Sequence, residues 1–497
     1  MQSSSLLLGI DVGSSGVKAI LLDPSKGIVA SAQESVKQYC DKPGWSEADT
    51  AEWWKAFVTT IPQLLHLANV ASTDIQGISF SGMVPAVILI DEEGNPVRRA
   101  ILQNDSRAIR EIDEIKKALS RIDLLTVVGS IPSQQWIAPT IAWLVRNEPE
   151  HFRKAKYLIG SYDWMAYKLG AELHVEQNWA LESGLFTLDG KVFQEIYDAV
   201  PIEWPSVPSI KRSGELVGNV SPKSAQESGL AAGTPVFVGG ADHVLSAYGA
   251  GLKDVGEILI KLGGAGDILA VSDTLILSDK LYIDSHPIPG KWLPNGCMAT
   301  SGSILRWEQN LLKESSLEKL DEEASLVSAG SLLILPYFLG EKTPLHDPGL
   351  RGAILGIHLG TSRGEIHLAI LESIAYGFRR HIEIFRELNI EVLNVKVTNG
   401  GSKSILWKQI IADVLQRDLV SVVNHPGASF GAGVCAGVGS GIFGDWEVGL
   451  KLLESGEIIR HNPNNKKIYD VRYHEFIEAT ESLADILHSI SRGQNEI

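Results

Sequence analysis

The sequence predicts an α/β protein of two large domains of related design, and three observations predict it. Its 497 residues exceed the usual length of one domain. Strand-like runs alternate with helical periodicity along the first half. A pattern of strand, glycine-rich turn and strand opens the chain and returns after residue 245.

Leu6 to Asp11 reads as a strand, Gly13-Ser14-Ser15-Gly16 as a tight turn and Val17 to Leu22 as the returning strand. Asp23 to Gly27 is a second turn, before a third strand over Gly27 to Ala32. From Thr50 to Leu67, Trp53, Trp54, Phe57, Ile61, Leu64 and Leu65 recur at helical spacing. Strands are expected again at Gln76 to Phe80 and Val87 to Ile90. In the second half, Glu257 to Leu262, Gly263 to Gly266 and Asp267 to Val271 repeat the opening hairpin. Ser362 and Glu365 form a capping box ahead of a long helix, and the alternation at Leu393, Val395 and Val397 marks a strand. That strand runs into Asn399-Gly400-Gly401-Ser402 and a helix carrying Trp407, Ile410, Ile411, Val414 and Leu415 on one face.

The hydrophobic fraction is 44% and the charged fraction 21%, enough apolar material for sizeable cores. A net charge of −16 supplies no global positive field, so neither nucleic acid nor an anionic membrane is expected as a partner. An anionic ligand would have to be held by backbone amides, a few cations and a metal ion. Cys40, Cys297 and Cys435 show no metal or disulfide spacing, which fits a reducing compartment. The opening residues lack the basic region of a signal peptide, and no window of about 18 apolar residues stands out. A cytoplasmic protein is the expectation.

Four glycine turns and two strand-terminal aspartates carry the chemistry. Gly13 and Gly16 let the backbone approach an anion, Ser14 and Ser15 add hydroxyls, Lys18 adds a cation, and Asp11 can orient a metal-bound water. In the run Pro235 to His243, a buried strand ends in two glycines and presents Asp242 at the start of a helix. Phosphoryl transfer asks little more of side chains than a carboxylate to take the acceptor proton, with metal and amides holding the phosphates. Asp242 fits that base; the competing reading is a helix cap. His243 reads as a packing or hydrogen-bonding residue. Gly263, Gly264, Ala265 and Gly266 would cradle the β- and γ-phosphates, and Gly400, Gly401 and Lys403 would sit against the nucleoside.

The ordered run of Gly9 to Lys18, Pro43 to Glu47, Asn104 to Arg107, Gly239 to Asp242, Tyr337 to Pro344 and Gly400 to Ser404 with Trp407 resembles the FGGY carbohydrate kinases. The resemblance implies two ribonuclease-H-like domains of the actin-like ATPase type around a central cleft, 1–247 for sugar and base and 248–497 for the second phosphate loop and adenosine site. It implies ATP and Mg2+ as cofactors. Asp242 is then the catalytic base, with Asp11 and Asp242 toward the metal. Asp11, Gly13, Ser14, Ser15, Lys18, Gly263 to Gly266, Arg306, Gly400, Gly401 and Lys403 face ATP. Met83, Val84, Pro85, Gln103, Asn104, Asp105 and Asp242 face the acceptor, Asp105 accepting from sugar hydroxyls. A small sugar or polyol is the implied partner and a homodimer the assembly it allows.

Within the family the pattern is most similar to xylulose kinases, with three departures. Met83-Val84-Pro85-Ala86 stands where those enzymes carry Gln-Met-His-Gly, and Gln103 stands where a Trp is common. Gly264-Ala265 replaces a Thr-Ser pair, and Asp267 adds a carboxylate. The expected acceptor is a ketopentose such as xylulose, with ribulose, a tetritol or tetrulose, glycerol or gluconate as the alternatives. A non-catalytic actin-like ATP-binding protein would lack the base. A nicotinamide dehydrogenase would need GxGxxG after the first strand, which is missing.

Overall fold

The computed structural model describes residues 5–495. They divide into two compact units. The first runs to Gly251 and takes in Ile283–Lys291 and Pro426–Leu453; the second holds Leu252–Tyr282, Trp292–His425 and the chain from Glu454 onward.

In the first unit, β1 (Leu6–Val12), β2 (Gly16–Asp23) and β3 (Gly27–Ser35) form an antiparallel meander. α1 (Thr50–Ala68) follows, capped by Asp49, whose carboxylate accepts from the Ala51 N–H at 2.9 Å. Its buried face is Trp53, Phe57, Ile61 and Leu64, as the periodicity predicts, and it packs on β2 and β3. Among the elements that follow are β4 (Ile75–Gly82), α2 (Ser161–Leu169), α3 (Gln177–Glu182), β5 (Leu216–Asn219), β6 (Pro235–Ala241) and α4 (Asp242–Gly249). The sheet order is β5-β6-β4-β1-β2-β3, with β1, β4 and β6 mutually parallel.

The second unit repeats this plan. β7 (Glu257–Leu262), β8 (Gly266–Ala270) and β9 (Trp292–Met298) form the antiparallel meander. α5 (Gly302–Leu312) and the long α6 (Arg363–Glu387) come next. The capping box forms as expected: the Ser362 hydroxyl accepts from the Glu365 N–H at 3.3 Å, and the Glu365 carboxylate accepts from the Ser362 N–H at 2.7 Å. β10 (Asn394–Thr398) lies parallel to β7, and beyond α7 (Ile405–Leu415) β11 (Leu419–Val422) lies parallel to β10. The chain then passes through α8 (Ala428–Gly439) of the first unit to β12 (Ser455–Ile459), which closes this sheet antiparallel to β11. A three-strand meander followed by two parallel strands is common to both units, so the internal echo read from the glycine turns is a repeat of this five-strand core. The edge strand precedes β6 in the first sheet and follows β11 in the second, which also has a seventh strand beyond β9.

The units are not cut at 247/248, as the sequence reading had it. The main crossing falls close by, at Gly251, but two later segments return to the first unit. Their composition explains the return. α8 is almost entirely small and apolar, and it packs so closely on β1 and β4 that a side chain on Gly9 would collide with the Ser429 carbonyl. Such a helix has no polar face to turn to water. The segment Ile283–Lys291 is held by Asn178, whose amide accepts from the Ser285 N–H at 2.7 Å and donates to its carbonyl at 3.0 Å. Among the described residues, no helix is long and apolar enough to cross a membrane.

Candidate active site

Three parallel strands deliver their carboxyl ends to one edge of the first sheet. Asp11 of β1 pairs with Ser81 of β4, and Ser81 pairs with Gly240 of β6; one residue on, Val12, Gly82 and Ala241 stand in line. Asp11 is thus level with Gly240, two residues short of Asp242, and both acids stand at the carboxyl end of the sheet on the strands that flank β4. The glycines make room: a Cβ on Gly82 would sit 3.0 Å from the Ser161 hydroxyl and 3.1 Å from the Val12 carbonyl.

The first turn uses fewer of its groups for a ligand than the sequence suggests. The Gly13 N–H donates to the Gly16 carbonyl at 2.9 Å and so closes the turn. Ser14 is half-buried and Ser15 exposed. Lys18 departs from expectation: its ammonium donates to the Pro426 carbonyl at 3.1 Å, tying β2 to the entry of α8.

Asp242 opens α4 with its side chain 39% exposed, and its Oδ1 accepts from the His243 N–H at 2.6 Å. His243 is more than a packing residue. Its Nε2 lies 2.8 Å from Asp284 Oδ2 and 4.0 Å from Glu182 Oε1, while Nδ1 is 3.6 Å from Asp242 Oδ1. Burial opposes a charge on the ring, but the Asp284 and Asp242 carboxylates reverse this and raise its pKa well above the usual value. Glu182 is pushed well up by burial and then by Asp284. Glu182, His243 and Asp284 bring one ligand atom each within 4.8 Å of one another. An imidazole suits Mg2+ poorly, because that ion takes oxygen ligands; Asp11 and Asp242 match its preference better.

The motifs around Trp45 and Asn104 meet in a buried ionic cluster. Asp105 Oδ2 accepts from the Ser46 N–H at 2.6 Å and from Arg107 Nη2 at 2.7 Å. Its Oδ1 accepts from the Arg107 N–H at 3.0 Å and Nε at 2.8 Å. Arg107 also pairs with Glu47 at 2.7 Å and stacks on Trp45. Four donors already fill this carboxylate, so Asp105 holds two loops together rather than offering lone pairs to a sugar, contrary to expectation. Next to it Asn104 is exposed, and Gln103 keeps a buried side-chain oxygen without a partner. Met83, Val84 and Pro85 are buried. The Met83 carbonyl accepts from the Ser161 hydroxyl at 2.9 Å, and the Ala86 carbonyl accepts from Trp179 Nε1 at 3.0 Å.

In the second unit the turn between β7 and β8 directs its carbonyls at α5. The Gly263 carbonyl accepts from the Gly302 N–H at 2.7 Å, and the Gly264 carbonyl from the Ser301 and Ser303 N–H groups at 2.9 and 3.1 Å. Arg306 lies beside this turn, 3.4 Å from where a Gly264 side chain would begin, and Asn399 Nδ2 lies 3.5 Å from the matching point on Gly263. The Gly263 to Gly266 turn, Arg306 and the Gly400 to Lys403 turn that follows Asn399 thus lie beside one another. Gly400 faces open space, whereas a Cβ on Gly401 would sit 2.5 Å from the Trp407 ring and 2.7 Å from Leu262 Cβ. Arg306 and Lys403 are exposed. Asp267, the unexpected carboxylate, stands opposite Lys261 across β7 and β8 at 3.8 Å.

Four residues here escaped the sequence reading. Thr300, Ser301, Ser303 and Thr398 carry buried hydroxyls with no hydrogen-bond partner. A polar group left so is costly unless a ligand or water meets it. The signal for the first three was the Thr300-Ser301-Gly302-Ser303 cluster at the start of an amphipathic helix.

Residues 6–249 match the N-terminal domain of the FGGY family of carbohydrate kinases, and residues 274–440 match its C-terminal domain. The chain belongs to this carbohydrate kinase family. The xylulose kinase of Staphylococcus epidermidis is 29% identical over 484 residues, 95% of this chain and 96% of that one. The xylulose kinase of Bacillus subtilis is 29% identical over 443 residues, 88% and 89% of the two chains. The crystal structure of xylulose kinase from Rhodospirillum rubrum superposes with a TM-score of 0.90 at 34% identity, covering 97% of this chain and 100% of that one. The enzyme is therefore a sugar kinase with the family's two-domain, actin-like fold, and ATP is the family's phosphoryl donor. The unpaired hydroxyls around the Gly263 to Gly266 turn, with Arg306 and Lys403 exposed and outside any ion pair among the described residues, fit a polyphosphate.

Proposed function

We propose that this kinase transfers the γ-phosphoryl group of ATP to a hydroxyl of a ketopentose, D-xylulose foremost, in the cytoplasm. The observation that carries the reading is the register of β1, β4 and β6, which brings Asp11, the last residue but one of β1, and Asp242, the residue after β6, to the carboxyl end of one sheet. Relatives named xylulose kinase over most of the chain support the acceptor. In the reaction the acceptor oxygen attacks the γ-phosphorus, its proton passes to Asp242, and ADP leaves. Asp242 suits the task because its Oδ1 is held by the His243 amide, which leaves Oδ2 for the hydroxyl. Gln103 accepts from a second sugar hydroxyl through its unpaired oxygen. The Thr300, Ser301, Ser303 and Thr398 hydroxyls, with Arg306 and Lys403, hold the nucleotide. Mg2+ on Asp11 and Asp242 would supply charge neutralisation for the phosphates.

A second reading, with ribulose, a tetritol or tetrulose, glycerol or gluconate as acceptor, is favoured by one observation. Met83, Val84 and Pro85 are buried and offer no hydrogen-bonding side chain to a third hydroxyl. ADP release measured across these acceptors decides between the two readings: the highest kcat/KM on xylulose supports the first, and a preference of tenfold or so for another acceptor replaces it. Asp242→Asn abolishes sugar-dependent ADP release and leaves ATP binding intact if the base is assigned correctly.

A further inference from the structure

Asp284 lies 42 residues beyond Asp242 in the chain, in a segment that no local pattern connects with the base. The strand Tyr282–Ser285 carries it, the two-way Asn178–Ser285 hydrogen bonds hold that strand against α3, and Asp284 is buried with its side chain 3% exposed. Its Oδ2 meets His243 Nε2 at 2.8 Å, and Glu182, on α3, stands behind the same nitrogen at 4.0 Å. The other face of the ring turns to the base: Nδ1 is 3.6 Å from Asp242 Oδ1, the oxygen that the His243 amide already holds at 2.6 Å. Of the three side chains His243 is the most exposed, at 27%, with Glu182 at 16%. One buried and one half-buried acid thus stand behind an imidazole whose open edge borders the reacting carboxylate.

We propose that Asp284 is a positioning residue for phosphoryl transfer, acting through His243 to fix the carboxylate of Asp242, with Glu182 as the second support of the ring. One oxygen of Asp242 is then held against the His243 amide and ring while the other is aimed at the acceptor. A base free to rotate would meet the hydroxyl in the wrong geometry for part of the time, which lowers kcat more than it weakens binding. The inference rests on Asp242 being the base.

The test is a double-mutant cycle on the intact enzyme, with ADP release, ATP binding and thermal melting measured on each variant. Asp284→Asn keeps the shape and an acceptor oxygen, Asp284→Ala removes both, and Asp284→Glu restores the carboxylate. The expected result is a fall in kcat of roughly tenfold or more for Asp284→Ala, with KM for sugar and ATP within about threefold. Asp284→Asn should fall between wild type and Asp284→Ala, and Asp284→Glu should recover part of the rate. In the Asp242→Asn background, Asp284→Ala should change the residual rate little, because the group it positions is gone. Unchanged kcat in Asp284→Asn and Asp284→Ala overturns the proposal, as does a full, additive loss in the Asp242→Asn background. If Asp284→Ala does not fold, the comparison of Asp284→Asn with Asp284→Glu decides alone. Near-normal turnover by Asp242→Asn itself overturns the assignment of the base, a different failure that the same set of variants reveals.

Discussion

The ammonium of Lys18 donates to the carbonyl of Pro426 at 3.1 Å, joining residues 408 apart in the chain. A charged donor on a partly buried carbonyl contributes about 1.5 to 3 kcal/mol. Lys18→Met should therefore lower the melting temperature by about 3 to 6 °C. Because the cation is committed to the backbone, KM for ATP should change less than threefold or so. A tenfold rise in KM without loss of stability would return Lys18 to the phosphates.

Gly401 and Gly400 are adjacent and should respond oppositely to the same substitution. A Cβ at 401 enters the Trp407 ring and Leu262, both fully buried, whereas a Cβ at 400 meets open space. Gly401→Ala must displace the turn that follows β10 and should raise KM for ATP about tenfold or cost 1 to 3 kcal/mol of stability. Gly400→Ala should do neither. Equal effects at both positions would refute the packing argument.

The unpaired hydroxyls near the second turn predict nucleotide affinity. Ser301→Ala and Thr398→Val each remove a buried hydroxyl without a protein partner. If each bonds to the nucleotide, each variant should weaken ATP binding about fivefold while leaving the melting temperature of the free enzyme unchanged or higher. Calorimetric titration with a non-hydrolysable ATP analogue reads the first effect, and melting of the free enzyme reads the second.

Glu176 links stability to pH. Burial raises its pKa from 4.5 to about 7, against the Tyr162 hydroxyl and the Asn178 and Trp179 N–H groups that favour the charged form. Between these values the folded protein binds the proton and the unfolded chain does not, so stability falls as pH rises from about 4.5 to about 7. Glu176→Gln stays neutral and keeps an acceptor for the α3 amides. It should stabilise the enzyme at pH 8 by up to about 3 kcal/mol and have little effect at pH 4. Melting curves at the two pH values check it, and an equal shift at both would refute the assignment.

What the sequence made legible was local in kind. The β1–β2 and β7–β8 hairpins, the α1 periodicity and the Ser362–Glu365 capping box each follow from residues a few positions apart. Asp242 and Asp11 stood out because a strand ending in glycine and a carboxylate is a local pattern too. What stayed hidden depends on partners far along the chain. The fate of Asp105 is set by Ser46 and Arg107, that of Lys18 by Pro426, and that of His243 by Asp284 and Glu182. No periodicity reports such pairings, because they arise only when the sheet and its returning segments close.

The return of Pro426–Leu453 to the first unit also bears on biosynthesis. A ribosome that has released residues 1–251 has made every strand of the first sheet but not α8, which covers β1, β4 and β6. Until residue 453 emerges, that apolar sheet face is bare, and a chaperone or a neighbouring nascent chain can reach it. Severing the gene at the boundary between the units would thus yield an aggregating fragment rather than an independent domain, whereas splicing residues 426–453 onto that fragment should restore its solubility.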